Sequence, residues 1–375
     1  SGFGILTLSG TNTYSGDTTV PSVFGTLYLG SSAAIPNGAG KGNVSLTGTL
    51  DLSGHNAAIN GLSGVGYVDN TGGSAVTLSI GNGDAASSFG GIIQNGGGAL
   101  TLMKVGTGVL TLSGGNTYNG GTILSAGQIT LGASSTGVPV TSGPLGTGAL
   151  TLNGGTLQMN AKTLANDLII SAGTTNIIDN TAGNSTISGN LSGAGTVTLQ
   201  NSGSVNMSVY GGDASQDWSG FTGTFKYVTG SRVINFNPGG TVCDLSYAAF
   251  YMSGNISYST LGIATGQTVK LGSLSGPSGY MNVNDGAALE IGNLNADTTF
   301  GGVIQGSGSG TVTKVGTGTL TLTGANTYTG LTTVSNGTLV VSTLSGANGD
   351  YTVEDGGTLG VSVAGGGSLK VSSLT

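Results

Sequence analysis

Charge is what this chain has least of. Eight basic and 15 acidic residues make up 6% of 375 positions, against about 25% in an ordinary soluble domain. The net charge is −7, and Arg232 is the sole arginine. A phosphate backbone is bound by clustered Lys and Arg, so nucleic acid is excluded as a partner. The same scarcity argues against an anionic membrane surface. No apolar run approaches the about 18 residues that a membrane helix needs. The single cysteine, Cys243, cannot close an internal disulfide and leaves the redox compartment open. Six prolines, with glycine at about a fifth of the chain and no third-position period, exclude collagen. A hydrophobic share of 37% is too high for a chain disordered by composition.

What fills the chain instead is Gly, Ser, Thr and Asn, which together exceed half of it. They are arranged in repeats, which must be read first because they decide the fold. GILTLSGTNTYSGDTTV (4–20), GTGVLTLSGGNTYNGGTIL (106–124) and GTGTLTLTGANTYTGLTTV (316–334) align almost without gaps. Their tyrosines are Tyr14, Tyr118 and Tyr328, and Trp218 falls near the place of a degenerate fourth copy. A larger duplication pairs Phe89–Gln94 with Phe300–Gln305, and Lys104–Gly108 with Lys314–Gly318. A Gly-Thr-Leu element also returns about every 20 residues, each time as a short run alternating apolar with Thr or Ser. That is the period of a strand with one buried face. Asn-Gly, Asp-Gly and Gly-Gly steps separate the runs, as turns require.

A repeat of about 20 residues is too short for a propeller blade and suits one coil of a parallel β-helix. Equivalent positions in successive coils then lie about 4.8 Å apart. Asn and Thr can hydrogen-bond their own kind there, whereas stacked Lys or Glu would repel. The fold class expected is all-β, a parallel β-helix of about 20 residues per coil, roughly 19 coils and on the order of 90 Å. Residues 1–375 are expected to form a single solenoid. Residues 1–200 and 262–375 are regular, and 201–261 form an irregular part with about ten of the 21 aromatics.

KVGTGTLTLTGANTYTGLTTVSNGTL (314–339) resembles the autotransporter-associated β-strand repeat of bacterial surface proteins. The resemblance is closest at 89–132 and 300–342, extends to 4–30, and is weaker at 133–200 and 216–226. It implies a right-handed β-helix carried outside the cell or on its surface, as an adhesin, a self-associating protein or a stalk. Full-length members also carry a signal peptide and a C-terminal membrane barrel. The chain starts Ser1-Gly2-Phe3-Gly4 without either, so it is expected to be an excised part or a differently exported relative.

The chemistry-bearing residues are few. Any Ser-His-Asp arrangement must use His55, which reads as a turn residue in Leu52-Ser53-Gly54-His55-Asn56. Cys243 has no neighbours to make a metal site and reads as a small core residue. Asp213 with Asp217 and Glu354 with Asp355 are the closest acid pairs, too scattered for glycoside chemistry. Asn282–Gly286 has the look of a calcium loop without its ligand spacing and reads as a turn. No catalytic, cofactor or metal residue is expected. The candidate binding residues are Tyr210, Trp218, Tyr227 and Arg232, which could stack on sugar rings, although interior filling accounts for such rings more simply. The function expected is non-catalytic, structural and adhesive, with the chain's own copies as partner through head-to-tail or lateral association into a filament. Surface glycans or matrix are the further partners weighed. The alternative is a β-helix carbohydrate-binding protein or polysaccharide-degrading enzyme.

Overall fold

The computed structural model describes residues 4–22, 25–203, 207–211, 218–229, 234–238, 242–254, 260–306, 308–342 and 350–362. Among them there is no α-helix, and parallel strands stack into a β-solenoid of about 14 turns, about 22 residues apart. The chain divides into two compact units, Ser1–Ile177 and Ile178–Thr375.

Turns of the first unit run through two or three short strands. One sheet stacks Ile5–Leu8, Thr26–Leu29, Thr49–Asp51, Tyr67–Asp69 and Ile92–Ile93. A second runs from Thr18–Val20 to Gly155–Gln158, and a third from Ala57–Ile59 to Leu168–Ile170. In the second unit, Thr224–Thr229, Val242–Gly254, Thr268–Ser275 and Ala288–Ile291 follow one another in a ladder. The aromatic-rich region is therefore built of longer strands, with a register shift between Leu245 and Ala249.

Turns are fewer and longer than the Gly-Thr-Leu spacing predicts. Leu110 pairs with Ile129, but Ile129 pairs with Leu157, because the loop after Leu131 lengthens that turn. The regular spacing belongs to turns closed by tight corners.

Period-2 alternation sorts the columns. In Val76–Ile80 and Leu100–Lys104 the alternate positions are buried. Val76 pairs with Leu100 and Leu78 with Leu102, so apolar side chains stack on apolar ones and each column is kept dry. One outward column of the first unit reads Thr19, Ser45 and Ser63 in register, and another stretch of that sheet reads Ser88, Thr111 and Thr130. Charges stack in the second unit with alternating sign: Asp244 pairs with Lys270, and Lys270 with Glu290. The Lys270–Glu290 ion pair (3.4 Å) is the one ion pair among the described residues. It is exposed enough to contribute little.

One corner of the first unit is glycine in turn after turn. A Cβ on Gly66 would meet the Gly48 carbonyl oxygen, one on Gly91 that of Gly66, and one on Gly114 that of Gly91. Successive backbones approach there more closely than any side chain allows.

Candidate functional surface

The repeat motif shows its geometry most fully around Lys104 and Tyr118. Lys104 occupies an inward position between Ile80 and Leu124 and is fully buried. Its ammonium donates to the carbonyls of Val105 (2.6 Å), Gly106 (2.9 Å) and Ala126 (3.4 Å). Lys314 repeats this on Val315 (2.6 Å), Gly316 (2.8 Å) and Asn336 (3.3 Å). Burial pulls both amines below the ordinary lysine value, while Asp84 and Asp297 respectively oppose that shift. The sequence reading kept lysine out of stacked columns. The structure instead buries the stem in the column and caps the head with carbonyls.

Tyr118 is fully buried, and its hydroxyl lies 2.6 Å from the Thr122 hydroxyl. Thr122 donates its own proton to the Leu145 carbonyl (3.0 Å), so the tyrosine is the donor. Burial raises the Tyr118 phenol above its ordinary value. Tyr328 makes the same bond to Thr332 (2.6 Å), and Tyr14 to Thr18 (2.6 Å), although Tyr14 is partly exposed. Two residues earlier in the motif, Asn116 accepts the Ile93 N–H (2.8 Å) and donates to the Pro144 carbonyl (2.7 Å). Asn326 likewise accepts the Ile304 N–H (2.8 Å).

The acids act as acceptors from one turn to the next. Asp84 takes the Thr107 N–H (2.7 Å), Asp17 that of Asn43 (2.7 Å) and Asp297 that of Thr319 (2.7 Å). Asp285 takes both the N–H (2.8 Å) and the hydroxyl (2.6 Å) of Ser309; of the Asn282–Gly286 segment, Asn282 and Val283 end the strand Tyr280–Val283 and only Asp285 and Gly286 form the turn. Asn295 replaces Asp84 in the duplicate and accepts the Thr317 N–H (2.8 Å), with φ of 57° against 56°. The Thr107 amide, then its hydroxyl, hold the Asp84 carboxyl below its ordinary value; the Ser309 hydroxyl, then its amide, do so for Asp285. A folded-state value below the unfolded one contributes stability above the ordinary carboxylate range and loses it as pH falls. In acid titrations followed by circular dichroism, the double variant Asp84→Asn/Asp285→Asn therefore loses less stability than the parent below about pH 4.

Of the candidate binding residues, Trp218 is buried, with its indole N–H on the Gly189 carbonyl (3.2 Å), and Tyr227 is fully buried. Trp218 packs on Phe225 (6.3 Å between centroids), and Phe225 stacks on Phe250 (5.3 Å). These rings fill the interior of the second unit. Tyr210 lies in the strand Met207–Gly211. Arg232, Asp213 and Asp217 lie outside the described residues. His55 closes a turn, its N–H on the Leu52 carbonyl (2.8 Å). Cys243 is buried, and burial, with Asp244 second, pushes its thiol up to about 12. Among the described residues no group of three or more His, Cys, Asp or Glu is placed to hold a metal.

Residues 1–22, 102–131 and 312–341 match the model of the passenger-associated-transport-repeat. Three segments of the chain are similar to this repeat. Repeat and solenoid together are consistent with an autotransporter passenger β-helix, and the repeat implies a secreted or surface-exposed passenger. No curated protein and no solved structure matches the chain. Lys104 and Tyr118 belong to the second of these segments, Lys314 and Tyr328 to the third. The sequence marked all four as repeated. The inward phase of Leu100-Thr101-Leu102-Met103-Lys104 was the signal that the lysine is interior.

The first of these segments also supplies an apolar opening. Ile5 and Leu6, in the strand Ile5–Leu8, are 74% and 58% exposed, while Leu27 and Leu29 in the next strand are buried. Ile5, Leu6, Leu8, Val20, Pro21 and Leu27 line a cleft of about 380 Å³ there.

Proposed function

We propose that this chain is a non-catalytic structural and adhesive passenger segment on the bacterial surface that self-associates by stacking end to end. The observation that carries the reading is the strand Ile5–Leu8, which exposes apolar side chains and has one backbone edge with no strand partner among the described residues. An open strand edge pairs with another strand of the same geometry. The occupant assigned to it is the strand Gly357–Val361 of a second copy, in which Val361 is 46% exposed. Such a heterologous contact does not close on itself and extends into a filament. Support also comes from the acids, which serve as acceptors between turns, and from the hydroxyl-bearing outer columns, which put no repelling charge between copies.

Sedimentation velocity across a concentration series tests this. The expected result is a series of species that lengthens with concentration and collapses to monomer in Ile5→Lys/Leu6→Lys. A parent that stays monomeric throughout overturns the reading.

A further inference from the structure

Asparagine followed by glycine can cyclise, because the glycine nitrogen reaches the preceding side-chain carbon. Seven such pairs lie among the described residues. In five of them the glycine N–H is held by an atom from elsewhere in the chain. Gly38 donates to Asn60 Oδ1 (2.7 Å), Gly61 to Asn43 Oδ1 (2.9 Å) and Gly96 to Asp69 Oδ1 (2.7 Å). Gly120 donates to the Leu100 carbonyl (3.0 Å) and Gly154 to Asn176 Oδ1 (2.7 Å).

Gly337 differs. Its N–H points at the Oδ1 of its own Asn336 (2.7 Å), and is shared with the Gly356 carbonyl (3.1 Å). The attacking nitrogen thus already lies against the side-chain amide it would attack, 2.7 Å from its oxygen. The backbone carbonyl of Asn336 also accepts from the Lys314 ammonium (3.3 Å). An amide that loses its proton places the negative charge largely on that oxygen. A cation bonded there favours the anion. Asn336 is exposed, so water reaches the product.

We propose that Asn336–Gly337 is a built-in deamidation site, activated by Lys314. The Gly337 nitrogen gives its proton to solvent and bonds to Asn336 Cγ. The Cγ–Nδ2 bond breaks, and the nitrogen leaves as ammonia. Water then opens the five-membered imide at either carbonyl, leaving aspartate or isoaspartate at position 336. No electron transfer is involved. Isoaspartate inserts a carbon into the backbone at the head of Gly337–Val341, where Gly337 pairs with Gly357, and so loosens that turn. The chain holds its own control. Lys104 caps Ala126 in the same way (3.4 Å), and Gly127 has φ of 68° against 65° at Gly337, but alanine offers no amide to attack.

The test is peptide mapping by mass spectrometry of the full chain incubated near neutral pH. Asn336 converts first, about tenfold ahead of Asn37, Asn60, Asn82, Asn95, Asn119 and Asn153, and Lys314→Met slows it by about tenfold, the effect of one pKa unit at the amide. Ala126→Asn creates a second fast site at 126. Conversion of Asn336 no faster than that of the other six overturns the proposal, as does an unchanged rate in Lys314→Met. Where Lys314→Met does not fold, a folded Ala126→Asn chain that stays unconverted at 126 overturns it as well.

Discussion

Lys104→Ala lowers the stability of the first unit by about 4 kcal/mol. The estimate sums a buried stem, at about 0.8 kcal/mol per methylene, and acceptors left unpaired inside, at about 1–3 kcal/mol each, less the desolvation of the ammonium and the relief that water brings. Lys104→Met separates the parts, because it keeps the stem and removes the cap. It is expected to cost about 2 kcal/mol. Denaturant unfolding, with amide exchange at Ile80 and Leu124, the in-register neighbours of Lys104, reads both. A methionine variant as stable as the parent would show that the ammonium stabilises nothing, as happens when a buried charge is exchanged for a well-packed apolar group.

The second large effect is at the glycine corner. Gly91→Ala is expected to cost about 3 kcal/mol, since the new methyl meets the Gly66 carbonyl oxygen, and backbone cannot move aside in one turn without disturbing the next. Gly115 lies one residue past the equivalent corner, with nothing within 4 Å of its would-be Cβ. Gly115→Ala should stay within about 0.5 kcal/mol. Equal effects at the two positions, measured by thermal unfolding, would refute the close-approach account.

The strands and their phase were legible in the sequence because alternation is a local property. Leu110 and Leu112 read inward and are buried. The number of turns was less legible, because it depends on loops such as the one after Leu131, whose path no periodicity encodes. Lys104 was visible in the inward phase, yet the rule that stacked charges repel pointed the other way. That rule concerns neighbouring heads, and this head is met by carbonyls. The acids looked scattered along the chain because their partners lie a turn away: Asp84 finds Thr107, and Asp17 finds Asn43. That distance varies with each loop. Trp218 and Tyr227 stood out as a concentration of rings, but composition does not tell an inner face from an outer one, and both are inside.

Parallel stacking sets how each unit answers a pull. Its hydrogen bonds join one turn to the next, so tension along the stack opens them in small groups, like a zip, without shearing a whole sheet at once. Each turn is held by its neighbours alone. A turn that lets go releases about 22 residues, roughly 70 Å of extended chain. A unit built this way yields under load in steps and lengthens turn by turn before it has wholly unfolded.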